Sequence, residues 1–283
     1  MNLAELAIRF PAYSNLQVVA PPSGQKDVVS AFQGQRRVAI KLFHRVADDQ
    51  ERIDREMAAV SKLHCQFVPE VIESGTVTLE GVERVFLIEQ FIEGETYATF
   101  LLAHPVQAIQ PVADLANILL CVAADCETAG LVHRDLKPAN IIRDATGKFW
   151  VLDFGLVKHL DLTSITPTGH GVGTLGYAPI EQMRLMKAPI DIRSDLFAIR
   201  TILYESLCGF SPWRQGVQDV HDLMQKMSAQ ELPRLTIPGD ASGELSSFIA
   251  WLVQRFPGRR PQTAAEARAA FGPIFQAIQP PVR

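Results

Sequence analysis

The sequence predicts an α+β protein of two lobes, a small β-rich N-terminal lobe with one helix and a larger, mainly helical C-terminal lobe. Three observations carry that expectation. Short runs rich in β-branched residues dominate up to about residue 91, and apolar residues at helical spacing dominate from about residue 95. A length of 283 residues is also generous for one core and suits two lobes flanking a cleft. The chain is expected to form one unit over 1–283, with its N-lobe at about 14–91, a hinge at about 89–94 and its C-lobe at about 95–275.

In chain order, "VVSAF" (28–32) and "RVAIKLF" (37–43) read as strands joined by a turn at Gln33–Arg36. "DDQERIDREMAAVSKLH" (48–64) places Ile53, Met57 and Val60 at helical spacing among charges, so it predicts the single N-lobe helix. "VIESGTV" (71–77) and "RVFLIEQF" (84–91) predict two more strands. In the C-lobe, Asp114–Ala129 reads as a long apolar-faced helix stopped by Gly130. Asp144–Gly147 reads as a turn between two short strands. Asp195–Cys208 predicts a second helix, with Ser194 as N-cap and Gly209 as its stop, and Thr263 to Glu266 forms a capping-box pattern that starts a third.

Composition narrows the function classes. Apolar residues make up 47% and charged residues 20%, as in a folded domain. The net charge of −4, with no basic stripe interleaved with aromatics, argues against nucleic acid as a partner. Cys65, Cys121, Cys126 and Cys208 form no CxxC pair and are expected to be buried thiols in a reducing compartment. No apolar run approaches the ~20 residues of a membrane span. Glu5 and Arg9 interrupt "MNLAELAIRF", which therefore does not read as a signal peptide. The expectation is a cytoplasmic protein without a membrane partner.

The segment "LVHRDLKPANII" (131–142) sets two cations, an acid and an amide on one short loop between apolar residues. It matches H-R-D-L-x-x-x-N as His133, Arg134, Asp135, Leu136 and Asn140. D-F-G follows at Asp153, Phe154 and Gly155, and V-A-I-K occurs at Val38–Lys41. Each motif sits where its chemistry needs it: Lys41 in a strand, Asp135 on a loop after a long helix, Asp153 at the end of a short strand. On these residues, from roughly Leu16 to Arg260, the chain resembles the eukaryotic-like (Hanks-type) Ser/Thr protein kinases.

The resemblance implies ATP as phosphoryl donor, with Mg²⁺ as the metal and Mn²⁺ as the alternative. Phosphoryl transfer spreads negative charge over phosphate oxygens, so the catalyst mainly positions and neutralises. By the same resemblance Lys41 would bind the α- and β-phosphates, and Glu56 would orient Lys41, with Glu51 as the substitute. Asn140 and Asp153 would hold the metal, Asp135 would take or orient the acceptor's hydroxyl proton, and Lys137 would neutralise the transferred group. Ile88 would be the gatekeeper, Glu89 to Phe91 would offer backbone groups to adenine, and Val28, Ala39 and Ile142 would sandwich it. Asp195 would fix the catalytic loop, and Glu181 with Arg260 would anchor the end of the activation segment. Lys137-Pro138 and Thr174 resemble Ser/Thr rather than tyrosine kinases. Arg134 offers a cation to a phosphorylated segment whose candidate acceptors are Thr163, Ser164, Thr166, Thr168 and Thr174. The implied partners are protein substrates, with a dimer or a regulatory partner left open.

The chain departs from the family at the phosphate-clamping loop. "PPSGQKDV" (21–28) carries Pro21, Ser23 and Lys26 where glycines are usual, and Gly24 falls one position off. Glycines let backbone N–H groups approach phosphates, so their loss should reshape the clamp; Ser23 and Gly24 could still turn the chain, and Lys26 would offer charge instead. This departure is the support for an alternative reading, a nucleotide-binding pseudokinase or scaffold with weak or no transfer. A small-molecule kinase is a third reading, opposed by the "GTLGY…E" segment. Ala178-Pro179 precede Glu181 with Ile180 inserted, and Arg200 stands where glycine is usual.

Overall fold

The structure is a computed structural model that describes residues 2–19, 26–44, 58–61, 63, 65–154, 176–183, 190–229, 234–252, 254 and 256–279. The amphipathic segment 48–64, including Glu51 and Glu56, lies largely outside these residues, as do Ser23, Gly24, Gly155 and all five candidate phosphoacceptors.

The N-lobe is an antiparallel five-stranded sheet of order β1-β2-β3-β5-β4, from β1 (Ser14–Val18), β2 (Lys26–Gln33), β3 (Arg36–Phe43), β4 (Val71–Leu79) and β5 (Val82–Gln90). A short helix α1 (Leu3–Arg9) precedes it, with the Asn2 side chain accepting from the amides of Ala4 and Glu5. Neither α1 nor β1 was expected, because both are short and β1 has only one position that is not exposed. The register decides which face does what. Val28 pairs Lys41, Lys41 pairs Leu87, and Ala39 pairs both Ser30 and Glu89. Directly opposed residues share a face, so Lys26, Val28, Ala39, Lys41, Leu87 and Glu89 line one side. The other side carries Val29, Ala31, Val38, Ile40, Leu42, Phe86 and Ile88, which form an apolar core with Leu6, Phe10 and Tyr13.

The C-lobe contains β6 (Glu95–Thr96), α2 (Tyr97–Ala103), α3 (Ile109–Thr128), a 3-10 turn at Pro138–Asn140, β7 (Ile141–Arg143), β8 (Phe149–Val151), α4 (Ile180–Met183), α5 (Ile192–Cys208), α6 (Val220–Ala229), α7 (Glu244–Leu252) and α8 (Ala264–Ile278). Its core joins Leu115 and Leu119 of α3, Leu196 and Ile199 of α5, Phe248 of α7 and Phe271 of α8. The strands β6-β7-β8 form a small second sheet beneath the hinge.

Two expected boundaries move. Helix α3 starts at Ile109, five residues before Asp114, because Pro111 falls in its first turn, where an amide has no helical partner to lose. It ends at Thr128 with Gly130 at φ +71° just beyond, as the glycine implied. Helix α5 starts at Ile192, and its N-cap is Asp191, which accepts from the Arg193 amide at 3.0 Å; Ser194 is already inside and buried. The capping box holds in modified form: Thr263 caps the Glu266 amide, and Glu266 reaches back to the Gln262 amide. Contrary to the expectation that no apolar stretch is long enough, α3 could cross a membrane by length and composition alone, and more than half of it is buried inside the protein.

The four cysteines are free, and only Cys126 is fully buried, so the expectation of four buried thiols holds in part. Arg200 is 1% exposed, and its guanidinium lies over the rings of Tyr204 and Trp213 at 4.9 and 6.0 Å. Burial pushes its pKa down to about 9, still above neutrality, so a charge sits in the C-lobe where glycine was expected.

Candidate active site

The catalytic loop runs from α3 to the 3-10 turn and is held from below by one carboxylate. Asp195, one turn into α5, accepts from the His133 amide at 2.7 Å and the Arg134 amide at 2.8 Å. Burial raises Asp195 to about 6, with those two amides opposing the shift. Arg134 takes φ +62°, a costly backbone conformation for any residue that carries a Cβ, and this clamp holds it there. His133 is 1% exposed; its Nε2 faces the Leu152 carbonyl at 3.0 Å, and its Nδ1 faces the Asp135 amide at 3.3 Å. A neutral ring with Nε2 protonated satisfies both contacts. Burial keeps it neutral, lowering its pKa to about 4.

Above this base the polar groups converge. Lys137 Nζ reaches Asp135 Oδ2 at 3.0 Å, and Asn140 Nδ2 donates to the same oxygen at 3.0 Å and to the Asp135 carbonyl at 2.9 Å. These contacts fix the amide's orientation and turn its Oδ1 the other way. The Leu152 amide donates to the Asn140 carbonyl at 2.8 Å, which ties the loop to the strand leading to Asp153. Phe154 packs on His133 with centroids 4.7 Å apart. Asp153, at φ +60°, meets Lys41 at 2.7 Å and also pairs with Lys26. Burial works against the Asp153 charge, but the two lysines win and hold it well below the usual carboxylate range.

Lys41 is 4% exposed and has a second carboxylate, Glu89, at 2.5 Å. Burial alone would lower its pKa; Asp153 and Glu89 outweigh burial and raise it, so the ammonium stays charged. This contact was missed from the sequence, because Glu89 was expected to contribute backbone only. Two hinge assignments also change. Ile88 is wholly buried in the core on the far face, since strand alternation turns it away from Lys41, so it is not a gatekeeper. The Phe91 amide donates to the Arg37 carbonyl at 3.3 Å, extending the β3–β5 ladder, so this one of its backbone groups is already paired within the sheet. Val28 and Ala39 share the cleft face of the sheet, and Ile142 lies on β7 below. Gly94, at φ +151°, lets the hinge pass over β7; a Cβ there would stand 2.4 Å from the Arg143 carbonyl oxygen.

The far end of the activation segment is anchored as expected. Arg260 Nη1 meets Glu181 at 2.5 Å and Nε donates to the Gln254 carbonyl at 2.9 Å. Gln182 donates to the Arg134 carbonyl at 2.9 Å, a link to the catalytic loop that no motif announced. Beside Lys137 opens a cavity of about 370 Å³, lined among others by Leu101, Pro105, Tyr177, Glu205 and Arg214.

As a metal site the donor set fits a hard cation. An ionised aspartate and an amide oxygen are ligands that Mg²⁺ accepts, with phosphate and water oxygens completing the shell. No cluster of three acidic, histidine or cysteine side chains offers an alternative metal site among the described residues.

Residues 24–271 match the protein kinase domain family. A serine/threonine-protein kinase PknB of Mycobacterium leprae is 30% identical over 243 residues, covering 83% of this chain and 38% of its own. A PknL of Mycobacterium tuberculosis is 33% identical over 231 residues, covering 80% and 56%. A probable PknB of Corynebacterium glutamicum is 29% identical over 272 residues, covering 91% and 41%. The chain thus spans between about two fifths and just over half of these relatives' lengths.

Proposed function

Because the chain belongs to the protein kinase domain family, we propose that it transfers the γ-phosphoryl group of ATP to serine and threonine hydroxyls of proteins. The observation that carries this reading is the meeting of two polar groups, Asp135 with Lys137 and Asn140, and Asp153 with Lys41, joined by the backbone bond from Leu152 to Asn140. Asp153 and the Asn140 amide oxygen would hold Mg²⁺, which draws charge from the phosphates when bound. Asp135, steadied by Lys137 and Asn140, would accept the hydroxyl hydrogen bond and orient the attacking oxygen. Lys41 would meet the α- and β-phosphates and Lys137 the transferred group, so that developing charge finds preplaced cations. Lys26, whose ammonium already reaches Asp153, would stand in for the missing glycine amides. The cavity beside Lys137 offers room for the chain that carries the acceptor. The relatives' names support the choice of serine and threonine. The pseudokinase alternative rested on the phosphate loop alone, and no observation favours it over transfer.

The test is incubation with γ-labelled ATP and Mg²⁺. Label on serine or threonine of this protein or of a basic carrier protein is expected, falling at least 100-fold in Asp135→Asn while nucleotide binding persists. Equal labelling by the variant, or binding without transfer by the wild type, would overturn the reading.

A further inference from the structure

The buried cluster at the top of the cleft contains one more carboxylate than the proposed reaction uses. Lys41 faces two acids, and the site needs only one of them for metal. If Asp153 is committed to a cation, it no longer balances Lys41 fully, and a buried ammonium requires another counter-charge. Glu89 supplies it. It sits directly opposite Ala39 in the β3–β5 ladder, so Lys41, two residues along on the same face, is its diagonal neighbour. Its side chain is 9% exposed and its carboxylate lies 2.5 Å from the Lys41 ammonium. Among the described residues Lys41 has no other carboxylate partner besides Asp153.

We infer that Glu89 is a positioning residue for phosphoryl transfer, holding Lys41 aimed at the nucleotide phosphates from within the sheet itself. The inference rests on the kinase reading and deepens it. Both partners stand on hydrogen-bonded neighbouring strands, so their pairing follows from the register and not from the docking of a separate helix. Burial, with Asp153 nearby, raises the Glu89 pKa, and Lys41 and then Lys26 oppose that shift.

The test compares Glu89→Gln, Glu89→Met, Glu89→Asp and Glu56→Gln with wild type. In Glu89→Gln and Glu89→Met, kcat is expected to fall about 100-fold, with KM for ATP changing less than about threefold. Glu89→Asp should recover part of the loss, whereas Glu56→Gln should cost less than Glu89→Gln. A purely structural role would move kcat and the urea midpoint together and show no recovery by aspartate. A second readout does not depend on turnover: hydrogen exchange of the Lys41 side-chain ammonium, assigned with Lys41→Arg, should quicken at least tenfold in a folded Glu89→Gln protein. Unchanged exchange, or wild-type kcat in either neutral variant, overturns the proposal. A wild-type protein that transfers no phosphate sinks the kinase reading instead, and the exchange measurement still decides the Glu89–Lys41 pairing.

Discussion

At the scale of single residues, two buried groups that shape the catalytic loop, His133 within it and Asp195 beneath it, titrate in opposite senses. His133 is held neutral, with a folded pKa of about 4 below its ordinary 6.5. As pH falls from 6.5 to 4, the unfolded chain takes up that proton first, so stability is lost across this window. Asp195 has a folded pKa of about 6, above its ordinary 3.8. Here the folded chain is protonated first, so stability is gained as pH falls from about 6 to 3.8 and given up as pH rises again. Each contribution is roughly 3 kcal/mol at about 1.36 kcal/mol per pKa unit, and the windows overlap, so they largely cancel. His133→Gln should therefore gain stability on acidification from pH 6.5 to 4 relative to wild type, and Asp195→Asn should lose it. Urea midpoints measured across that range will show parallel profiles if the two groups are not coupled to folding in this way. The placement of Asp135 and Asn140 on one loop, with Asp153 just beyond the neighbouring strand, was legible in the sequence because short motifs specify backbone geometry as well as residue type. The Glu89 contact was not, since nothing local distinguishes a strand glutamate that faces a cleft from one that faces solvent.

At the scale of elements, the anchors between segments do most to hold the site in shape. Arg260, 3% exposed, lies just beyond the 3-10 turn Pro257–Arg259 and pairs with Glu181 at the start of α4, while its guanidinium lies 5.1 Å over the Phe197 ring of α5. Removing one member of such a buried pair strands the other, at a cost of about 3–5 kcal/mol. Arg260→Ala is expected to lower the unfolding free energy by that amount and to weaken protein phosphorylation, because α4 also carries Gln182 against the Arg134 carbonyl. A urea midpoint unchanged by the substitution would show the pair to be ornamental. Strands β2 to β5 were legible as β-branched runs, whereas β1 and β6 were not, and the expected turns at Gln33–Arg36 and Asp144–Gly147 join strands as the sequence implied. The start of α5 was misplaced, because Asp191 and Ser194 are equally good caps locally and only the burial of Ser194 decides between them.

For the whole molecule, the site is split: Lys26, Lys41 and Glu89 belong to the five-stranded sheet, whereas Asp135, Asn140 and Asp153 belong to the helical part. A ligand touching both should stabilise them as one body. ATP with Mg²⁺ at about 100 times its Kd is expected to add roughly 2.7 kcal/mol of stability, visible as a rise in Tm. Chelating the metal should remove most of that rise, because Asp153 and the phosphates would then face each other without a cation between them. A rise of equal size with chelator present would mean that Asn140 and Asp153 are not the metal site.

The sequence by itself determined the chemistry: which residue types stand at the catalytic loop, at the end of β8 and in the middle of β3, and hence the family to which the chain belongs. Motif order along the chain suffices for this, because a strand, a loop and a turn are local structures with local signatures. The tertiary structure decided which charges meet. Strand register turned Ile88 into the core and Glu89 toward Lys41, helix packing brought Asp195 under the loop, and chain crossing put Gln182 against Arg134. Such pairings join residues far apart in sequence, and only the burial of the two sheet faces and of the C-lobe core selects among them.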